Sequence, residues 1–448
     1  MIMLIILVIG TATVLVSSYN SSALQIERDK TTATALAQAK DALIGYAVKV
    51  QLSSSNLCGS NCKRPGDLPC PDNHPLGDVN EGSYSTPCDL QSQRLGRLPW
   101  KTLGLSDLRD GSGERLWYAV STNFKNSTRI GTLNSDTNGT LTIHSPDGSI
   151  LNDGSTMSGA IAVIIAPGNV LLRFDNLQQN RTTANYNNPQ HYLDCVGNTT
   201  PPGSCNIEDN ATFIDSSPTD GFIQGPIKVN DSSGNFVTVV NDQLLVVTQN
   251  NIMQGVQKRV AGEVMNCLQD YAANNNGRYP WAALITDLTS IYNDSSVTYF
   301  GRIPDDLSET QNDSWNGWSF QMSDKWGAAC NTDTNNTPAT WWVNWKEMVF
   351  YGVARSFRPR STTAPSFPST CSTSGNCLNV NTTSTPARFV VIVAGKMLNS
   401  PNQTQRYSNK TNAYYYLEGG NQNADQSGGY TFTQGAPSAN FNDTLVFQ

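Results

Sequence analysis

Charge and histidine are what this chain has least of. Only 15% of its 448 residues are Asp, Glu, Lys or Arg, and only three are histidine: His74, His144 and His191. None of the three stands beside a Ser or Cys nucleophile with an orienting acid, which removes the usual machinery of nucleophilic and acid–base catalysis. The expectation is a protein that is not an enzyme, with no catalytic residue, no cofactor and no metal. The net charge is −7 and no basic stretch stands out, which argues against phosphate-driven nucleic-acid binding. The N-terminus lacks charge altogether, with none before Glu27 and no proline before Pro65. A secretory signal would open on a basic segment and close on a small-residue cleavage site.

In place of charge, the chain opens on sixteen apolar or small residues, Met1 to Val16. An apolar segment crossing a bilayer wants about 20 residues, so this run is short, although Ser17 to Leu24 add no charge. It continues into an amphipathic stretch whose apolar stripe is Leu36, Ala39, Leu43, Tyr46, Ala47 and Val50, spaced as one buried helix face requires. The candidate assembly positions on the run are Met1, Ile2, Leu4, Ile5, Leu7, Val8, Gly10, Ala12, Val14 and Leu15.

Cysteine is even in number and clustered in turn-rich sequence. Cys58 lies near Cys62, Cys70 near Cys88, Cys195 near Cys205 and Cys371 near Cys377, leaving Cys267 and Cys330. Short loops flanked by Pro, Gly and Ser suit disulfides of an oxidising compartment. The zinc alternative (Cys58, Cys62, Cys70) wants a nearby fourth ligand. Asn-x-Ser/Thr sequons occur at Asn20, Asn126, Asn138, Asn180, Asn198, Asn210, Asn230, Asn293, Asn312, Asn335, Asn381, Asn402, Asn409 and Asn442. They make a glycosylated extracellular surface a fair expectation, with a merely polar Asn-rich coat as the alternative.

Six short matches recur in the same order along the chain. Residues 37–47 are echoed by 260–272, Gly96-Arg-Leu-Pro99 by Gly301-Arg-Ile-Pro304, and Trp117 to Phe124 by Phe350 to Phe357. Val163 to Ala166 returns as Val391 to Ala394, His191-Tyr-Leu-Asp194 as Tyr415-Tyr-Leu-Glu418, and Asn241-Asp242 as Asn442-Asp443. The order reads as a duplicated unit with its boundary near residue 247. The second copy opens on its own helical stripe: Ile252, Val256, Val260, Val264, Leu268 and Tyr271. Residues 160–166 and 388–394 read as buried strands, and Phe236 to Val240 with Gln243 to Val247 as a hairpin pair. An insertion at about 305–347 carries Trp315, Trp318, Trp326, Trp341, Trp342 and Trp345, expected as local core. Asn134-x-Asp136-x-Asn138-Gly139 is half of a calcium loop that has Ser145 where the bidentate acid belongs.

The apolar run, its helical continuation and the strand-rich remainder resemble a type IV pilin or pseudopilin. Leu268-Gln-Asp-Tyr-Ala-Ala-Asn-Asn-Asn-Gly-Arg-Tyr-Pro280 is similar to the pilin pattern of a helix ending in Tyr before an Asn-Gly-x-Tyr-Pro turn, and Arg64 to Pro71 occupies the equivalent place in the first copy. The resemblance implies an α+β fold: a long hydrophobic N-terminal helix as spine over residues 1–52 (1–24 for assembly and membrane, 25–52 packed on the first head). Two tandem helix-plus-antiparallel-sheet units would follow, at 53–247 and 248–448. It further implies a structural subunit of an extracellular, cell-surface filament, a helical homopolymer of identical subunits. The inner membrane would hold it before assembly, and a prepilin peptidase and a pilus or secretion machine would process it. Where pilins carry a glutamate at position 5, this chain has Ile5. Tip-type minor pseudopilins of type II secretion-like systems also lack that acid, so a minor pseudopilin or pilus-tip adhesin is the alternative.

Overall fold

In the computed structural model the described residues are 2–50, 63–128, 131–289, 291–308, 310–313, 318–321, 326, 341–360, 371, 376–398 and 403–448; the side chains of 2–22, 310–313 and 318–321 fall outside the description. The chain divides into two compact units. Unit 1 comprises 1–46, 68–130 and 138–249, and unit 2 comprises 47–67, 131–137 and 250–448.

Unit 1 is organised on helix α1 (Ile2–Lys49) and a four-stranded antiparallel sheet of β1 (Leu95–Arg97), β2 (Trp117–Val120), β3 (Ala162–Ala166) and β4 (Gln243–Val247), in that spatial order. Apolar residues fill both faces of the central strands, as an interior sheet demands. One face, with Trp117, Ala119, Val163 and Ile165, packs with Leu141, Ile143, Tyr192, Leu193, Phe213 and Phe222. On the other face Tyr118 lies beside Tyr46 of α1, and the Lys40 ammonium donates to the Val246 carbonyl of β4 at 2.9 Å. Leu36, Ala39 and Leu43 are the stripe residues of α1 that unit 1 buries.

Unit 2 is organised on helix α2 (Gln249–Asn274) and a second four-stranded antiparallel sheet: β5 (Phe300–Arg302), β6 (Val349–Val353), β7 (Phe389–Val393) and β8 (Thr444–Phe447). All six stripe residues of α2, Ile252 to Tyr271, are buried. Thr444 at the start of β8 donates its hydroxyl to Gln257 of α2 at 2.9 Å. Trp326, Trp341, Trp342 and Trp345 are buried; Trp315 and the Trp318 side chain lie outside the described residues.

Two expectations are corrected. A hydrophobic spine carrying two helix-plus-sheet pilin-like units is not what the described residues form. Among them no helix is long and apolar enough to cross a membrane, and α1 carries four charges in consecutive positions at Glu27, Arg28, Asp29 and Lys30. Among the described residues the β-structure is spread over seven sheets, five of them of two or three strands. Two of those contain parallel pairs: Ile143–His144 with Phe222–Ile223, and Asn379–Val380 with Thr431–Phe432. Long polar loops account for this, since each short ladder satisfies backbone groups that loop burial would otherwise strand. The expected hairpin also fails. Phe236–Val240 pairs with Ile227–Asn230, whereas Gln243–Val247 pairs with β3, so the chain changes sheets at Asn241-Asp242.

Because Leu43 and Leu268 are both fully buried, truncation of either to Ala should cost about 2–5 kcal/mol. Urea denaturation would read the loss, and a change under about 1 kcal/mol would show that these helix faces do not carry the core.

Candidate functional site

The recurring Gly-Arg-x-Pro motif is the first place where sequence dictates chemistry. Arg97 on β1 exchanges backbone hydrogen bonds with Asp72 (2.8 and 3.0 Å), and Arg302 on β5 does the same with Ala283 (2.9 and 3.0 Å). A Cβ on Gly301 would overlap the Ala283 carbonyl, so the neighbouring backbone passes too close for any other residue, and one on Gly96 would overlap the Asn73 side chain. Each arginine then turns inward among aromatic rings. The Arg97 guanidinium carbon is 4.9 Å from the Trp117 ring, 3.8 Å from Tyr186 and 4.7 Å from Tyr192. That of Arg302 is 4.7 Å from Phe350, 5.8 Å from Tyr292 and 4.8 Å from Tyr416. Both are buried and donate to carbonyls: Arg97 to Tyr186, and Arg302 to Glu347 and Lys410. Burial lowers the pKa of Arg97, opposed mainly by Tyr186 and Tyr192. A weakly hydrated, planar cation tolerates such a place where an ammonium would not.

The second constellation is a pair of acids in each unit. In unit 1 the Asp194 amide donates to Asp242 Oδ2 (2.8 Å), as does the Asn210 side chain (2.8 Å), while the Asn241 amide donates to Asp194 Oδ2 (2.7 Å). In unit 2 the Glu418 amide donates to Asp443 Oδ2 (2.9 Å), as does the Asn421 side chain (3.1 Å). The Asn442 and Asp443 amides both donate to Glu418 Oε2 (3.0 Å). Asn210 also brackets the Ile223 backbone and Asn421 the Thr433 backbone, each through both ends of its amide.

Behind each pair stands a glutamine and an arginine. Gln179 donates to Asp194 Oδ1 at 2.8 Å and Gln403 to Glu418 Oε1. Arg181 and Arg406 each donate to that glutamine's carbonyl at 3.2 Å, and to the carbonyls of Gly168 and Gly395 at 2.7 and 3.1 Å. All four acids are buried. Burial pushes Asp194 up to about 7, against the pull of the Asn241 amide and of Arg173 and Arg181. Burial and then the Asp194 charge raise Asp242 well above the carboxylate range; burial and then Glu418 do the same to Asp443.

Unit 1 carries two more titrating contacts. His144 faces Glu208 through Nε2 (2.9 Å) and the Gly148 carbonyl through Nδ1 (3.3 Å), and the Glu208 hydrogen bond raises its pKa despite burial. Burial opposes ionisation of Glu81, but hydrogen bonds from Tyr186 and Arg115 hold it at about 2. Nearby, Asp72, Arg97 and Arg115 are among the residues around a void of about 10 Å³, room for a single water. On the unit 1 surface, Glu27, Lys30, Thr34 and Gln38 of α1 with Leu108 and Arg109 border an open groove of about 270 Å³.

The residues singled out from sequence fall as follows. Cys70 is bonded to Cys88, Cys195 to Cys205 and Cys371 to Cys377. Cys267 is disulfide-bonded as well; Cys58, Cys62 and Cys330 lie outside the described residues. Asp175 sits at metal-ligand spacing from Cys195 and Cys205, but that disulfide leaves no thiolate to bind an ion. Asp136, from the half calcium loop, is taken up by Arg406 (2.8 Å) and the Met397 amide (2.8 Å).

Asn180, Asn198, Asn230, Asn293 and Asn381 are exposed, and Asn138, Asn409 and Asn442 half-buried. Asn126 and Asn210 are buried, with their amides committed to Tyr46 and Cys70, and to Asp242 and Ile223. Neither has room for a glycan in the folded chain. Asn312 is described only through its backbone, and Asn335 and Asn402 lie outside the described residues. The assembly positions Ile2, Leu4, Ile5, Leu7, Val8, Gly10, Ala12, Val14 and Leu15 lie on the backbone of α1, their side chains outside the description, and Met1 lies outside it entirely.

The arginine cages and acid pairs were not singled out as sites, although Gly-Arg-x-Pro and the acids at 194, 242, 418 and 443 all fall inside repeat matches. The supporting Gln179-x-Arg181 and Gln403-x-x-Arg406 differ in spacing and gave no such signal. Chemically, both constellations are closed: the charges meet protein groups and rings rather than an open cleft, so they clasp the fold. Replacing Arg97 or Arg302 by Lys should remove stacking and charge-assisted hydrogen bonds together, at a cost of about 2–4 kcal/mol. Urea midpoints would measure it, and a loss below about 0.5 kcal/mol would remove the cages from the account of stability.

No protein-family model matches this chain, and no curated protein or solved structure is found to be similar to it.

Proposed function

We propose that this chain is a structural subunit of an extracellular filament of the type IV pilus kind, polymerising through its N-terminal helix. The observation that carries the reading is the uneven cover on α1. The side chains of residues 23–31 are all exposed, including Leu24 (64%) and Ile26 (68%), with Gly111 against the Arg28 backbone and the Leu108–Arg109 groove beside them, and the first buried residue after them is Thr32. A helix with little tertiary cover is marginal in water, so this stretch gains from a surface supplied by another molecule. In the sequence it is preceded by Met1 to Val16, whose burial is worth about 0.8 kcal/mol per CH₂. Gly10, Ala12 and Thr13 would let neighbouring helices approach closely.

In this reading the partners are copies of the same chain. A prepilin peptidase and a pilus or secretion machine act earlier, at the inner membrane. Disulfides and exposed sequons such as Asn180 and Asn230 fit permanent exposure outside the cell. No acid interrupts the apolar run from Met1 to Val16, where pilins carry one, and this favours a second reading: a minor pseudopilin or pilus-tip adhesin.

Copy number separates the two. Quantifying the chain in sheared surface filaments should find it as a bulk component; one copy per fibre would favour the tip reading. Recovery only with secretion-system membranes would overturn the filament reading. Joint replacement of Leu24 and Ile26 by Asp should abolish recovery in filaments while shifting head stability by no more than about 0.5 kcal/mol, because both side chains are exposed.

A further inference from the structure

We propose that each unit contains a buried proton-binding site, in which Asp194 with Asp242, and Glu418 with Asp443, hold one shared proton at neutral pH. The geometry is the same twice. In each pair one carboxyl oxygen, Asp242 Oδ1 or Asp443 Oδ1, is buried and receives no hydrogen bond. The others are supplied with donors: Asp242 Oδ2 and Asp443 Oδ2 by a backbone amide and an asparagine, the partner acid by backbone amides and a glutamine. An ionised carboxylate with a bare, desolvated oxygen facing a second carboxylate is unfavourable on both counts. A proton on that oxygen removes the repulsion and turns an orphan acceptor into a donor toward its neighbour. In unit 2 the Asp443 side chain is within hydrogen-bonding reach of Glu418.

Arg173 and Arg181 pull against the rise at Asp194, and Arg181 against that at Asp242, but each surrounding arginine is already engaged by another acid. Arg173 is paired with Asp209 (2.9 Å) and Asp175, Arg181 with Glu114 (3.2 Å), and Arg406 with Asp136 (2.8 Å). Asn210, Asn241, Gln179, Asn421, Asn442 and Gln403, the remaining polar neighbours, are neutral. What the proton holds is the entry to the last strand of each sheet, since Asp242 immediately precedes β4 and Asp443 immediately precedes β8.

The pH dependence follows in sign. An unfolded Asp releases its proton near pH 3.9, whereas burial pushes Asp194 up to about 7. Between those values the folded unit binds more protons than the unfolded chain, so stability is greatest in acid and falls as pH rises. Each retained proton should raise the unfolding constant about tenfold per pH unit across that window.

The test combines infrared spectroscopy with urea titrations at pH 5 and pH 7 on the intact chain and on Asp242→Asn and Asp443→Asn. The amide of each variant donates where the shared proton would. The wild type should show a protonated-carboxyl carbonyl band at pH 7. Each variant should lose part of it and flatten the fall in stability of its own unit. A wild type without that band at pH 7, or with no fall in stability between pH 5 and pH 7, overturns the proposal even if neither variant folds. Variants that fold but leave band and slope unchanged overturn it as well.

Discussion

Desolvation of charge governs how this molecule is built. With so few ionisable residues, it nevertheless buries Arg97, Arg302, Asp194, Asp242, Glu418 and Asp443 in or beside its two main sheets. A buried charge destabilises unless its surroundings answer it. The arginines are answered by ring faces and carbonyls, the acids by amides aimed at three of the four oxygens in each pair. These answers fix local geometry: a guanidinium among three rings admits few alternative packings, and an asparagine bonded to a backbone at both ends holds two loops at one spacing. Leu and Val fill the sheets and supply most of the driving force, but the clasps determine how the loops close over them.

The same physics explains why one sequence pattern appears twice. Gly301 is required by a neighbouring backbone at contact distance and Gly96 abuts the Asn73 side chain, while Tyr118 and Tyr351 each donate to the carbonyl of a proline, Pro69 or Pro280, at 3.1 Å. Each recurring residue has a recurring partner. Where the two units part company, the partner has changed as well: Asp72 accepts from the Gly82 amide (2.6 Å) and from His74, whereas Ala283 in its place has no side chain to do so. Unit 1 accordingly carries a titrating network of Glu81, Arg115 and Tyr186 that begins near Asp72.

Closed clasps also shape the functional reading. The chemistry that looks most reactive on paper, two acids side by side, is sealed inside. What the described surface offers is polar loop, scattered apolar side chains, an open groove beside α1 and a stretch of that helix whose side chains are all exposed. The filament proposal accordingly draws on the exposed apolar side chains of that helix rather than on the sealed acids.

The sequence by itself determined the buried stripes of α1 and α2, the central strands around 163–165 and 390–393, the pairs Cys70–Cys88, Cys195–Cys205 and Cys371–Cys377, and the recurrence of Gly-Arg-x-Pro, because spacing and local turns are properties of neighbouring residues. Only the tertiary structure decided that residues 236–240 and 243–247 join different sheets, since a strand's partner is chosen by a surface far away in sequence. Only it brought Gln179 to Asp194 or Arg406 to Asp136, and only it buried the Asn126 and Asn210 sequons, which read as surface. Long-range polar pairing leaves no periodic trace in a sequence, because the residues that complete it are set by how the loops fold back, and their spacing is free to differ between the two copies.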